Sequence, residues 1–259
     1  MSFSRDPASR GDVGRYFRVR MEEVGADRMR GFSPAPEYLR APDGRVRTGA
    51  LLTMLDTIGG IRAGLSALPD GWVVSTNLSA RTITTEHTGP LRIESVVLRR
   101  GRNNVVTNVD IVDEGAHDAL VMTGVLTSAV LVPENGPPEW VRPVVLDFGE
   151  PLDDPPTIPD WIALRTIDAH TVEMNLADGL RNPWGILHGG VVASLVDAAA
   201  EHASGGRPTT DVVLHFLAPN RVGPVRATAR ALGADRHRIE VRDEGSDRVT
   251  AVAVAASSS

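Results

Sequence analysis

The stretch at residues 182–202 reads NPWGILHGGVVASLVDAAAEH and combines a glycine pair, a histidine and an aspartate. Apolar residues after Gly189 and Gly190 recur at helical spacing, which predicts a helix that begins at the two glycines. The first N–H groups of a helix have no partner within it and carry partial positive charge. Because glycine lets a ligand approach the backbone, this start suits a carbonyl oxygen that gains negative charge during a reaction. Asn182 and His188 flank the start and can add donors or hold the turn.

Two aspartates lie in apolar helical sequence and are candidates for the acid or base of a reaction. Asp56 lies within a second predicted helix at residues 47–68, which also begins at a glycine, and Asp197 lies within the helix after Gly190. Burial of an unpaired carboxylate costs roughly several kcal/mol, so each aspartate requires a function or a backbone donor. Asp197 is about 12 Å along its helix from Gly189, too far to activate a water there. An acid that serves Gly189 must therefore come from elsewhere in the chain.

The candidates also have purely structural interpretations. The glycine pair could only permit a tight turn, and the His188 imidazole could only bond a carbonyl of the loop. Ser75 and Thr76, at the head of the strand after the first helix, are tentative candidates for substrate binding. Hydroxyl side chains are common in strands.

Composition excludes several kinds of chemistry. The 259 residues include no cysteine and no lysine, so all 27 basic residues are arginine. Disulfides, thiolate zinc sites, cysteine nucleophiles, Schiff bases and a phosphate-loop lysine are excluded. The histidines show no metal-ligand spacing, so we expect neither metal nor cofactor. A net charge of -6 argues against nucleic acid as a partner. Without an apolar leader or a membrane-length apolar run, the sequence predicts a cytoplasmic protein with no membrane partner.

The pattern along the chain predicts an α+β fold built from two similar halves. After a disordered lead to about residue 14, the first half has a strand at 16–24, a loop at 31–46, the helix at 47–68 and four strands. Residues 133–159 hold eight of the eighteen prolines and are interpreted as an extended linker. A strand, a loop, a helix and four strands then follow again. The predicted repeats are residues 15–132 and 161–256, with the linker at 133–160.

Three pairs of matching residues support an internal duplication. Gly49 and Asp56 match Gly190 and Asp197 at an offset of 141 residues. The offset is 134 for the Gly-Pro pairs at 89 and 223, and 130 for the Asp-Glu-Gly triplets at 113 and 243. Because their order is preserved and the offset drifts slowly, we interpret the chain as a tandem repeat.

The second half resembles the PaaI-type acyl-CoA thioesterases of the hot-dog fold. The resemblance rests on the pattern N-P-x-G-x-x-H-G-G, on an aspartate seven residues after its last glycine, and on a later F-L-x-P at 216–219. The first half resembles the family less, since Arg47 and Thr48 replace His188 and Gly189, and Ala41 replaces Asn182. The resemblance implies a double hot-dog, in which two antiparallel sheets each wrap around a central helix and the two units pair side by side.

The resemblance also implies where the reaction takes place. In hot-dog pairs the central helices run antiparallel, so the aspartate that serves Gly189 should be Asp56. Acyl-CoA would then be hydrolysed between the repeats, with the carbonyl at the Gly189 N–H and Asn182 amide, and Asp56 acting on water or attacking directly. The second site, which would join Thr48 and Gly49 with Asp197, and further with Glu201 and Thr209, lacks the asparagine and the histidine. It is expected to be degenerate. Family habit suggests a homodimer of the double unit.

Two other functions are weighed against hydrolysis. Hot-dog enoyl-CoA hydratases carry an Asp-x-Asn-Pro-x-His run, whereas here Trp184 and Gly185 follow Asn182-Pro183 and His188 lies too far on. A non-catalytic acyl-CoA-binding protein or sensor is favoured by the loss of motif residues in the first half. Release of free thiol separates hydrolysis from both alternatives.

Overall fold

The computed structural model describes residues 12–87, 89–147, 150 and 152–258. Its helices are α1 (Asp12–Tyr16), α2 (Thr48–Ala67), α3 (Ile158–Trp161) and α4 (Gly189–Ala203). The strands of the first half are β1 (Arg20–Glu23), β2 (Arg28–Ser33), β3 (Trp72–Thr82), β4 (Leu91–Arg100), β5 (Asn104–Asp113) and β6 (Ala119–Leu131). The remaining strands are β7 (Val145–Asp147), β8 (Arg165–Asp168), β9 (Thr171–Met174), β10 (Thr209–Phe216), β11 (Val225–Ala231), β12 (Arg236–Asp243) and β13 (Arg248–Ser257).

All of these strands belong to one sheet, so the expectation of two sheets is wrong. The order is β7-β1-β2-β4-β5-β6-β3-β10-β13-β12-β11-β9-β8. Strands β3 and β10 pair antiparallel, with Asp211 opposite Arg81 and His215 opposite Asn77. Because this pairing satisfies the backbone groups of both strands, it joins what would otherwise be two exposed sheet edges.

The strand order of the second half repeats that of the first. Strands β1-β2-β4-β5-β6-β3 correspond to β8-β9-β11-β12-β13-β10. The turns correspond too: Asp113 accepts a hydrogen bond from the Gly115 N–H at 2.8 Å, and Asp243 accepts one from the Ser246 N–H at 3.3 Å in the turn that follows it. Both carboxylates are fully buried and fix a corner of the sheet by satisfying backbone donors.

The two long helices lie inside the fold and contact each other in antiparallel directions. Helix α2 is buried over nearly its whole circumference, which explains why its apolar residues are not confined to one face. Small residues lie where α2 and α4 cross. The Thr53 Oγ1 lies 2.9 Å from the Ser194 Oγ, and a Cβ built on Gly190 would lie 2.7 Å from the Thr53 Cα. Each helix therefore begins beside the middle of the other, as the resemblance implied.

Sequence patterns predicted the long elements better than the short ones. The predicted strand at 16–24 divides into the end of α1, a turn and β1, and the predicted loop at 31–46 contains the end of β2. The disordered lead is wrong for residues 12–14, which are helical, while residues 1–11 lie outside the described residues. Short strands and helices hold few residues, so their periodicity is hard to recognise.

The proline-rich segment is more ordered than an extended linker. Its strand β7 pairs with β1 at the sheet edge, and α3 ends it. The buried Glu23 accepts hydrogen bonds from Arg62 at 3.0 Å, from the Arg142 Nε at 2.6 Å and from the Val144 N–H at 3.1 Å. These contacts attach the segment to the first half. In the described part of the chain, no helix has the length and apolar character needed to cross a membrane.

Candidate active site

The Asp56 carboxylate lies against the first residue of α4. A Cβ built on Gly189 would lie 2.9 Å from the Asp56 Oδ2 and 3.0 Å from its Oδ1. Any residue other than glycine at 189 would therefore displace the carboxylate. Asp56 is only 5% exposed, and the partial positive charge at the start of α4 stabilises its negative charge. As the first residue of α4, Gly189 has no acceptor within the helix for its own N–H.

His188 caps helix α4 and touches Asp56. Its Nδ1 accepts a hydrogen bond from the Gly190 N–H at 3.0 Å and lies 3.4 Å from the Asp56 Oδ2. Burial lowers the pKa of His188, although the nearby Asp56 charge opposes that shift. A neutral imidazole whose Nδ1 accepts a bond carries its proton on Nε2. His188 therefore caps the helix through Nδ1, and burial favours its neutral form.

Strand β3 supplies the hydroxyl that holds the acid. Ser75 donates a hydrogen bond of 2.6 Å from its Oγ to the Asp56 Oδ1. The pairing of β3 with β6 is irregular between Ser75 and Asn77, so Thr76 occupies a bulge. Bulges redirect side chains and are frequent beside active sites. The Thr76 hydroxyl donates to the Thr127 carbonyl at 3.0 Å, which fixes its orientation.

Asn182 holds the loop that leads to α4. Its Oδ1 accepts a hydrogen bond of 2.9 Å from the Trp184 N–H, so the amide group closes a turn. The Trp184 indole N–H donates to the Val73 carbonyl at 2.9 Å and joins this loop to the first half. The donor group of the same side chain is its Nδ2 amino group.

A cavity of about 310 Å³ opens between the halves at this point. Of the predicted residues, Asp56, Ser75, Thr76, Asn182, His188 and Gly189 line it. Sequence patterns did not predict its apolar lining, which includes Gly60, Ile61, Trp72, Leu131, Trp140, Leu146 and Phe216. The end of β6 and the proline-rich segment line the cavity because the tertiary fold brings them to it. The F-L-x-P motif could have indicated part of the lining, since Phe216 and Pro219 both line the cavity.

Gly190 and Asp197 lie away from this cavity. Gly190 forms the contact with Thr53, and its N–H is bonded to His188, so the structure places it at the helix crossing. Asp197 lies about two turns farther along α4 and accepts a hydrogen bond of 2.7 Å from the Gly49 N–H at its Oδ2. Burial, followed by the nearby Glu201 charge, raises the pKa of Asp197 to about 6, and the Gly49 hydrogen bond opposes that shift.

The second cluster around Asp197 is closed. It retains a cavity of only about 20 Å³. Glu201 forms ion pairs with Arg45 at 2.5 Å and Arg47 at 3.4 Å, and the cavity is also lined by the apolar Ile158 of α3 and Ile162 directly after it. An acid therefore lies beside both helix starts, but of these two places only the one at Asp56 is open to a ligand.

Residues 179–256 match a family model described as "Acyl-CoA thioesterase N-terminal domain". This range contains Asn182, His188, Gly189 and Asp197, whereas Asp56 and Ser75 lie outside it. No curated protein matches the chain in sequence. The match identifies residues 179–256 as similar to a thioesterase domain.

Several solved structures resemble the whole chain. An acyl-ACP thioesterase from Bacteroides thetaiotaomicron is 12% identical, with 88% of this chain and 97% of that chain covered and a TM-score of 0.62. A tesB protein from Mycobacterium avium subspecies paratuberculosis is 15% identical, with coverages of 96% and 98% and a TM-score of 0.60. The 12:0-ACP thioesterase from Umbellularia californica is 10% identical, with coverages of 90% and 98% and a TM-score of 0.63.

At these identities the likeness concerns the fold. The shared architecture is the hot-dog α+β fold with a large antiparallel sheet and few helices, and it extends over nearly the full length of each similar chain. Because one fold supports many functions, the choice of reaction depends on the site itself.

Proposed function

We propose that this protein hydrolyses an acyl-CoA thioester to a free acid and CoA in the cavity between its halves. Residues 15–132 and 161–256 would each be a hot-dog unit, joined by residues 133–160 into a tandem pair. The observation that carries the proposal is the contact of Asp56 with Gly189 at the wall of an open cavity. An acid and an unpaired helix N–H are the two groups that thioester hydrolysis requires.

The thioester carbonyl lies at the start of α4, with its oxygen toward the Gly189 N–H and the Asn182 amide. Asp56 removes a proton from water as the water oxygen attacks the carbonyl carbon. The electron pair moves to the carbonyl oxygen, and its negative charge is stabilised by the helix N–H and by the neutral His188 Nε2–H. The intermediate then expels CoA as a thiolate, which accepts the proton that Asp56 took from water, and Asp56 returns to its carboxylate form. Ser75 keeps the Asp56 carboxylate oriented.

The alternative chemical route begins with direct attack of the Asp56 carboxylate on the thioester. That route expels CoA first and leaves a mixed anhydride on Asp56, which water then hydrolyses. Rapid acid quenching during turnover, followed by mass spectrometry of the peptide that contains Asp56, separates the routes. An acyl adduct on that peptide supports the anhydride, and its absence together with continued turnover supports general-base catalysis.

The choice of CoA over a carrier protein rests on the description of the family that residues 179–256 match. The assignment to the PaaI-like group rests on Asn182, Pro183, Gly185, His188 and the glycine pair. A cytoplasmic location and a homodimer of the whole chain stay predictions from the sequence.

Thiol release is the direct test of the proposed function. The chain contains no cysteine, so a thiol reagent added to the pure protein reports only the released CoA or carrier thiol. We expect release from acyl-CoA substrates, with a lower kcat/KM for the matching acyl-carrier proteins. Binding of acyl-CoA without thiol release contradicts hydrolysis and supports a sensor. Hydration of crotonyl-CoA without thiol release supports a hydratase.

A further inference from the structure

The apolar end of the cavity follows helix α2 away from Asp56. Gly60 lies one turn beyond Asp56, about 6 Å along the helix axis, and lines the same cavity. The far wall is formed by two tryptophans. The Trp72 ring packs over Gly64, where an added Cβ would lie 2.6 Å from the ring. The Trp140 ring stacks on Trp72, with 5.9 Å between centroids and 17° between planes.

Gly60 differs from the other glycines of the two long helices. A Cβ built on Gly49, Gly59, Gly64, Gly189 or Gly190 would lie 3.1 Å or less from another atom, whereas one built on Gly60 would meet no atom within 4 Å. Packing therefore does not require glycine at position 60. Glycine in a helix interior is less stable than alanine, so space in the cavity is the remaining physical reason for it.

The duplication provides an internal comparison for this position. At the offset of 141 residues that relates Asp56 to Asp197, the counterpart of Gly60 is Glu201. Glu201 lines the cavity of about 20 Å³ and fills its space with ion pairs to Arg45 and Arg47. One cavity is thus open where the helix carries glycine, and the other is closed where it carries glutamate.

We infer that Gly60 is the residue that sets the depth of the acyl pocket, with Trp72 and Trp140 as its end wall. This inference rests on the proposed thioester hydrolysis at Asp56. An extended chain advances about 1.2 Å per bond, so about five bonds separate a carbonyl at Asp56 from the level of Gly60. The substrate class is therefore acyl groups of about six or more carbons, or acyl groups that end in an aromatic ring.

The test is the activity of Gly60→Ala and Gly60→Val on acyl-CoAs from acetyl to dodecanoyl and on phenylacetyl-CoA. For acetyl- and butanoyl-CoA we expect kcat/KM to change less than about twofold, because their chains end before Gly60. For octanoyl-CoA and phenylacetyl-CoA we expect a fall of about tenfold or more in Gly60→Val and a smaller fall in Gly60→Ala, as one methylene group in a closed pocket has effects of that size.

The matched controls are Ser66→Ala and Ser66→Val. Ser66 lies on the same helix outside the cavity lining, and its hydroxyl donates only to the Ala63 carbonyl at 2.9 Å. The controls should leave the wild-type preference for chain length unchanged. An equal fall for all substrates in the Gly60 variants, or no change in chain-length preference, overturns the inference.

Binding separates this inference from the proposed function. If the wild type releases no thiol from any substrate, hydrolysis is contradicted, and calorimetry with non-hydrolysable S-alkyl-CoA thioethers still tests the pocket. In that case, weaker binding of octyl-CoA but not of ethyl-CoA by Gly60→Val supports the role of Gly60. Equal binding of both thioethers by the wild type and Gly60→Val overturns it.

Discussion

The two helix starts are built from equivalent elements but differ in what occupies the space beside the acid. At the start of α4, the His188 imidazole accepts the Gly190 N–H, and the Asp56 carboxylate faces a cavity of about 310 Å³. At the start of α2, the equivalent N–H of Gly49 donates to the Asp197 carboxylate itself. Glu201 and the proline-rich segment then close the space. A buried acid alone therefore does not make a site.

The comparison shows that equivalent elements can hold a buried acid with or without an open pocket beside it. Asp197 retains a structural purpose, because its carboxylate satisfies a helix N–H that would otherwise be buried without a partner. Asp56 has a hydroxyl partner in Ser75 and lies at the wall of an open cavity. The predictions below are ordered by the size of the difference that each should reveal between the two sites.

The largest difference is expected from removing the charge of each aspartate. Asp56→Asn should lower kcat for thioester hydrolysis by about 10² to 10⁴, the usual contribution of a general base. Asp197→Asn should retain much of the wild-type kcat. Both variants preserve shape, so steady-state kinetics of the pair isolates the charge. A large loss in Asp197→Asn with little loss in Asp56→Asn would place the reaction at Asp197 and contradict the proposal.

The second difference concerns the hydroxyls of Ser75 and Thr209, which directly precede equivalent register shifts in β3 and β10. Ser75→Ala should lower kcat by about tenfold, since a hydrogen bond to a charged group contributes roughly 1.5 to 3 kcal/mol and orients the Asp56 carboxylate. The matched control is Thr209→Ala, which removes the hydroxyl at the equivalent position of β10 and should leave kcat unchanged. Kinetics on one acyl-CoA with both variants checks this, and equal effects would contradict a role for Ser75 in positioning the acid.

The third difference is a pH dependence of stability that arises from Asp197. Because its pKa is raised to about 6 in the folded chain, the folded state binds more protons than the unfolded state between the ordinary pKa of an aspartate and about 6. Wild-type stability from this group is thus present at low pH and is lost as pH rises through 6.

Asparagine does not titrate, so Asp197→Asn lacks this pH dependence. The free energy of unfolding of the variant relative to the wild type should rise by about 1 to 3 kcal/mol between pH 4.5 and pH 7.5. Urea unfolding of both proteins at the two pH values measures the change. A relative stability that is constant with pH would show that Asp197 is already ionised at pH 4.5.

The smallest effect is expected from the cap of α4. His188→Ala should lower the free energy of unfolding by about 1 kcal/mol, because the Gly190 N–H loses its acceptor, whereas His188→Asn should retain most of the stability since asparagine is a good N-cap. Urea unfolding checks the stability of both variants. If His188 also donates to the carbonyl oxygen, both variants should lose kcat, although only the alanine variant is less stable.

Much of the fold could be predicted from periodicity and turn residues. Helix α2 lies within a residue of the predicted bounds 47–68 at both ends, and α4 begins at the predicted glycine pair, because both helices show clear periodic patterns. The missed β2 and β7 are short, and β7 lies between prolines in a segment whose composition favours an extended chain. Their pairing depends on the edge strand that they meet.

The site could be predicted in part for a similar reason. Distance along the helix excluded Asp197 as the acid for Gly189, and the family resemblance implied Asp56 in its place. The structure has Asp56 and Gly189 in contact. The role of His188 Nδ1 as a cap and the turn made by Asn182 depend on side-chain orientation, which spacing along the chain does not specify. The far wall at Trp72 and Trp140 comes from two segments whose sequences show no relation to each other.

The sequence by itself determined the repeated order of elements, the glycine start of α4 and the presence of an acid in each long helix, because these depend on residue type and spacing along one chain. Only the tertiary structure decided that the halves share one sheet and that one of the two sites remains open. The physical reason is that space is a property of packing: whether a volume beside an aspartate is empty depends on Gly60 or Glu201, and on which distant side chains reach it.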